Sequence, residues 1–101
     1  MADVFQALSS PVRRKILALL KDKDCTAGDI ASKIDVAKST LSGHFNVLKA
    51  ADLVVTLKEG TTITYSLNTS VVESLMSGLF DIFGKQQGVE VERNTANKEL
   101  L

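Results

Sequence analysis

The side chains best placed to do chemistry lie along KSTLSGHFN, residues 38–46. If Leu41, Phe45 and Leu48 face inward on a helix, then Lys38, Ser39, Ser42, Gly43 and Asn46 lie on its outer side and Thr40 near its edge. All of these except Gly43 carry a hydroxyl, an amide or an ammonium, groups that reach base edges and phosphate oxygens when a helix lies in a nucleic-acid groove. Plain hydration would suit the same face, so the surrounding elements have to decide between the two. His44 falls between Leu41 and Leu48 on the helical wheel, nearer the core than the outer face. That position favours a hydrogen-bonding role at the edge of the core over a phosphate or base contact. Nucleophilic or acid–base catalysis needs further convergent groups, and the chain has one His and one Cys. The expectation is a protein that is not an enzyme and uses no cofactor.

Bulk properties fit a binding protein. Twelve Lys and Arg balance twelve Asp and Glu, and 45% hydrophobic residues argue against wholesale disorder. The balance hides an asymmetry: residues 10–58 hold nine bases against five acids, while residues 69–101 hold three against five. A basic middle suits an anionic partner such as double-stranded DNA. At 101 residues the chain is most simply one domain. Its start, MADVFQALSS, lacks the basic opening and apolar centre of a signal peptide, and no apolar run is long enough to cross a bilayer. A cytoplasmic location without membrane insertion is therefore expected.

The elements that must position residues 38–46 can be read from period and punctuation. Val4, Phe5 and Leu8 share one helical face before Ser9-Ser10-Pro11 interrupts, and Ser10 with Pro11 suits the N-cap and first turn of a second helix. Val12, Ile16, Leu19 and Leu20 form its stripe, and it should end between residues 21 and 24. Arg13 and Arg14 on its rim are candidates for a phosphate contact or an internal ion pair. Thr26 and Asp29 have capping-box spacing, with Asp in place of Glu, and open a short helix over residues 27–34. DVAK then allows only a tight turn before the helix of residues 38–46, which makes a helix-turn-helix. After Asp52 the period drops to two, and VVTLKEGTTITYSL reads as a β-hairpin around Glu59-Gly60. Asn68 or Thr69 can cap a last helix, in which Val71, Val72, Leu75, Met76, Leu79, Phe80, Ile82 and Phe83 form an apolar surface wider than one small core requires. Residues 84–101 combine glycine with polar and charged residues and are expected to be a disordered tail. The fold class is thus mainly α with a small β-hairpin, a winged helix-turn-helix of order α-α-α-α-β-β-α over residues 1–83.

In order and spacing, LSSPVRRKILALLK, TAGDIASKIDVAKSTLSGHFNVLKAADLV and KEGTTITYSL resemble the ArsR-type (ArsR/SmtB) family of bacterial repressors, in its metal-independent branch. The resemblance covers roughly residues 3–83. It implies a homodimer paired through the first and last helices, here Val4, Phe5, Leu8, Val72, Leu75, Met76, Leu79, Phe80 and Phe83. It also implies a recognition helix in each major groove, hairpin wings flanking the DNA through Lys58, Thr61 and Thr62, and an antirepressor protein as one further partner. The function expected is that of a dimeric repressor, or autorepressor, on an inverted-repeat operator. The alternative is a winged-helix module that binds another protein and no DNA.

The chain departs from the family pattern in three places. Metal-sensing members carry Cys-x-Cys where Thr26 and Gly28 stand, Cys25 is one residue out of register, and the last helix has no His, so no metal site is expected. Cys25 itself reads as an ordinary cysteine at a helix entrance rather than a thiol sensor. Thr61-Thr62 replaces a frequent basic residue in the wing, which predicts a shallower salt dependence of binding. Ala37 stands where a capping Ser is frequent, a loss of about 1 kcal/mol for the helix that follows.

Overall fold

The structure is a computed structural model that describes residues 3–84. The predicted tail lies outside the described residues, apart from Gly84. Five helices and three strands follow one another as α1 (Val4–Ala7), α2 (Pro11–Asp22), β1 (Cys25–Thr26), α3 (Ala27–Lys33), α4 (Lys38–Ala50), β2 (Val54–Glu59), β3 (Thr62–Leu67) and α5 (Thr69–Phe83). One compact unit ends at Val71 and a second begins at Val72, so the division falls inside α5.

Local chemistry accounts for most of these boundaries. Ser10 Oγ accepts from the Arg13 N–H and Pro11 occupies the first turn of α2, as its sequence predicts. The α3 capping box is reciprocal: Thr26 Oγ1 accepts from Asp29 N–H at 3.1 Å, and Asp29 Oδ2 accepts from Thr26 N–H at 3.0 Å. Asp lacks one methylene of the usual Glu, yet the pair still closes. α4 starts at Ala37 with no side-chain cap and ends in a Schellman arrangement. There the Asp52 N–H donates to Lys49 O and the Leu53 N–H to Leu48 O, with Asp52 itself at φ 60°.

One strand was not foreseen. β1 pairs antiparallel with β3, placing Cys25 opposite Tyr65 and Thr26 opposite Thr64, so the hairpin is part of a three-stranded sheet of order β1-β3-β2. Two residues cannot display a period, which is why the sequence hid it. The predicted hairpin itself forms, with Val54 opposite Leu67 and Glu59 opposite Thr62. Its turn is Gly60-Thr61, and Gly60 has φ 63°, the first-position geometry that a tight hairpin turn reserves for glycine.

Ile16, Ile30, Leu41, Leu48 and Leu53 are the largest fully buried side chains, one each from α2, α3 and the α4–β2 junction and two from α4. Each contributes roughly 1.5–3 kcal/mol by leaving water. Phe45 of α4 stacks on Tyr65 of β3, with ring centroids 4.4 Å apart and an interplanar angle of 27°. α4 therefore packs against α2 and β2, and against β3 through the aromatic pair.

Candidate nucleic-acid interface

Burial of Leu41, Phe45 and Leu48 fixes the rotation of α4 about its axis. Lys38, Ser39, Thr40, Ser42, Gly43 and Asn46 are consequently all exposed, as are Lys58, Thr61 and Thr62 on the wing. A Cβ built on Gly43 meets nothing within 4 Å, so the fold itself does not require a glycine there.

Not all of these residues lie together. Lys38 and Ser42 border a cleft between α3 and α4 whose floor includes Leu41, Phe45 and Tyr65. Thr61 and Thr62 border a second groove that runs from the wing to the start of α3 at Thr26 and Gly28, and Tyr65 lines this one too. Helix residues and wing residues thus converge on either side of one buried tyrosine. Asn46 faces away from that junction, into a shallow cleft with Gln6 and Arg13. Ser39, Thr40, Gly43 and Lys58 line none of these clefts.

In the sequence, Tyr65 stands out only as one member of a strand face. Burial raises its hydroxyl above the ordinary tyrosine pKa, so it remains a neutral hydrogen-bonding group at physiological pH. Its alternation with Ile63 and Leu67 was visible, but its double contact with both clefts depends on tertiary packing.

The basic residues sort differently from the expectation. Arg13 donates to the carbonyl oxygens of Ala7 and Gln6, and Arg14 donates to that of Leu8 at 2.7 Å. These bonds join both arginines to backbone carbonyls at the end of α1. Cations suit this position because the last carbonyls of a helix lack intrahelical donors. His44 is half-buried, and its Nδ1 lies 3.1 Å from Arg13 Nη1, in keeping with a structural hydrogen bond at the edge of the core.

Cys25 is buried in β1, with its thiol donating to Lys23 O at 3.4 Å. Among the described residues no group of three His, Cys, Asp or Glu side chains is placed to hold a metal ion. None of the helices described is long and apolar enough to cross a membrane.

A short helical pair whose second helix is rotated to expose small polar side chains, followed by an antiparallel wing, is a nucleic-acid-reading architecture. Comparison with known proteins agrees. The helix-turn-helix domain family matches residues 8–56. The chain is 44% identical to the transcriptional repressor SdpR of Bacillus subtilis (strain 168) over 85 residues, covering 84% of this chain and 94% of that protein. The chain belongs to the ArsR-type winged helix-turn-helix family. Another relative is the nodulation protein NolR of Rhizobium meliloti, 31% identical over 96% of this chain and 80% of its own length. Among solved structures, an ArsR-like transcriptional regulator from Rhodococcus sp. RHA1 superposes with a TM-score of 0.75 at 30% identity, covering 81% of this chain and 75% of that one. As an ArsR-type protein it is a DNA-binding transcription regulator, and the relatives it matches are regulators rather than enzymes.

The nine residues that the resemblance implies for pairing differ in exposure. Phe5 and Phe83 are 57% and 77% exposed, and Met76 and Phe80 are 47% each. Val4, Leu8, Val72, Leu75 and Leu79 are half-buried, and α5 has no buried residue at all. Ile82 of α5 is also 70% exposed.

Proposed function

We propose that this regulator is a cytoplasmic homodimeric repressor that binds an inverted-repeat operator, with Lys38, Ser39, Thr40, Ser42, Gly43 and Asn46 at the major groove and Lys58, Thr61 and Thr62 on the flanking backbone. The observation that carries the reading is the rotation of α4: three buried anchors leave every one of these helix residues facing solvent. Two copies related by a two-fold axis would set their α4 helices about one DNA turn apart. Exposed Phe5, Met76, Phe80, Ile82 and Phe83 support pairing through α1 and α5, because solvated apolar patches of this kind mark association surfaces. The regulator responds to something other than a transition metal, since Thr26 and Gly28 stand where metal-sensing relatives have cysteines. An antirepressor protein, implied by the family resemblance, is one further partner of this reading.

The test is binding of the purified protein to DNA from the promoter region of its own gene. Lys38→Ala and Ser42→Ala should each weaken binding by about tenfold, within the roughly 1–3 kcal/mol of a groove contact, with unchanged circular dichroism. Full affinity in both variants would remove α4 from the groove. Sedimentation should show a dimer at micromolar concentration, and a monomer there overturns the pairing.

A further inference from the structure

Two of the sequence elements that carry the family resemblance, Pro-x-Arg-Arg and Ser-x-His, meet through a single side chain. Arg13 uses each of its three guanidinium nitrogens once. Nε donates to Ala7 O at 2.7 Å, Nη2 donates to Gln6 O at 3.1 Å, and Nη1 lies 3.1 Å from Nδ1 of His44. The first two bonds hold the end of α1, which at four residues is far too short to persist alone. The third holds α4 at its middle, between Ser42 and Asn46. A guanidinium only donates, so Nδ1 must be the acceptor and the imidazole proton must sit on Nε2. One half-buried arginine on α2 therefore ties α1 to the helix that bears the groove-facing residues.

We propose that Arg13 and His44 are a positioning pair: they fix α4 relative to α1, and base-specific DNA binding depends on that link although neither side chain touches DNA. The proposal rests on α4 being the reading helix. A helix held by aliphatic packing alone can slide or roll by a fraction of a turn without losing burial. A directional bond at its centre removes that freedom, and displacements on the ångström scale separate a matched base contact from a missed one. Because α1 belongs to the surface proposed to pair two copies, the same bond would carry a shift of α1 to the recognition helix.

A direct phosphate contact by Arg13 makes different predictions, and they can be separated. Arg13→Lys keeps the charge but loses the fork that spans two carbonyls and an imidazole. It should weaken binding to the operator by about tenfold, leave binding to random-sequence DNA within about twofold, and keep the wild-type salt slope. A phosphate contact would instead show a near-normal Arg13→Lys variant, and an Arg13→Ala variant weakened on both DNAs with a slope shallower by about 0.9. That pattern overturns the proposal.

His44 supplies the second arm, independent of whether Arg13 variants fold. In His44→Asn, Oδ1 lies close to where Nδ1 was and still accepts, so operator affinity should stay within about twofold, whereas His44→Leu should lose about tenfold. Equal affinities for the Asn and Leu variants overturn the pair. The nitrogen-15 spectrum of wild-type His44 should show an unprotonated Nδ1 and a protonated Nε2, and this preference should relax in Arg13→Lys. A protonated Nδ1 in the folded protein also overturns it. Lys38→Ala and Ser42→Ala, measured alongside, separate the two ideas. If Lys38→Ala and Ser42→Ala both bind normally, the reading-helix assignment fails, while a weakened Lys38→Ala beside normal Arg13→Lys and His44→Leu variants sinks the positioning pair alone.

Discussion

The two helices of the helix-turn-helix are stabilised in opposite ways. α3 is seven residues long, yet its first turn is closed by its own reciprocal box between Thr26 and Asp29. α4 is nearly twice as long, begins without a side-chain cap, and carries an exposed glycine in its interior. Its order comes from outside: from Leu41, Phe45 and Leu48 underneath, from the Tyr65 ring, and from the bond between Arg13 and His44. A helix that supports itself needs few long-range partners. A helix whose outer face is given over to small polar residues gives up local stability and has to be held by its neighbours.

The largest test of that contrast is Phe45→Ala. Removing the ring that rests on Tyr65 should lower unfolding free energy by about 3–5 kcal/mol in denaturant titrations. A loss below about 1 kcal/mol would mean that α4 does not depend on the stack. Next, Ala37→Ser should add the missing cap and raise stability by about 1 kcal/mol, while Thr26→Ala should lower it by a similar amount by opening the α3 box. Equal insensitivity of both helices to these changes would erase the distinction. Gly43→Ala should also gain about 1 kcal/mol, since its new methyl meets open space. With α4 in the groove, the same methyl should weaken operator binding, and a variant that gains stability and binds normally would make Gly43 an indifferent surface position.

The smallest effect is in acid. Hydrogen bonds from the Thr26 backbone and side chain hold the Asp29 carboxyl below its ordinary pKa of 3.8. A group whose pKa is lowered on folding stabilises above its unfolded value, and that contribution disappears as the pH falls through the folded one. The box should therefore hold at neutral pH and open below about pH 3.8, so a stability titration should show an acid loss in wild type that is diminished in Thr26→Ala.

What could be read from the sequence divides along the same line. Features made by neighbours in the chain were legible: the Ser10 cap, the Thr26–Asp29 box, the missing cap at Ala37, the apolar stripes, and the outward set on α4. Features made by distant residues were not. β1 has two residues and no period, the Arg13–His44 bond spans 31 positions, and Tyr65 gains its place between two clefts only when β3 lies beneath α4. Arg13 and Arg14 illustrate the gap most plainly. Their charge was visible, but a charge does not reveal that the acceptors are carbonyls at the end of another helix.

The strand order has a consequence of a different kind. With β3 in the centre, β2 is an outer strand, and its VVTL segment leaves Val55 and Leu57 about half exposed beside a row of backbone groups that no strand among the described residues pairs. Such an edge invites a strand from a second molecule, and charged side chains are the usual deterrent. Lys58 and Glu59 follow that apolar segment directly. Their charges stand where an exposed edge is ordinarily blunted against pairing with a second molecule.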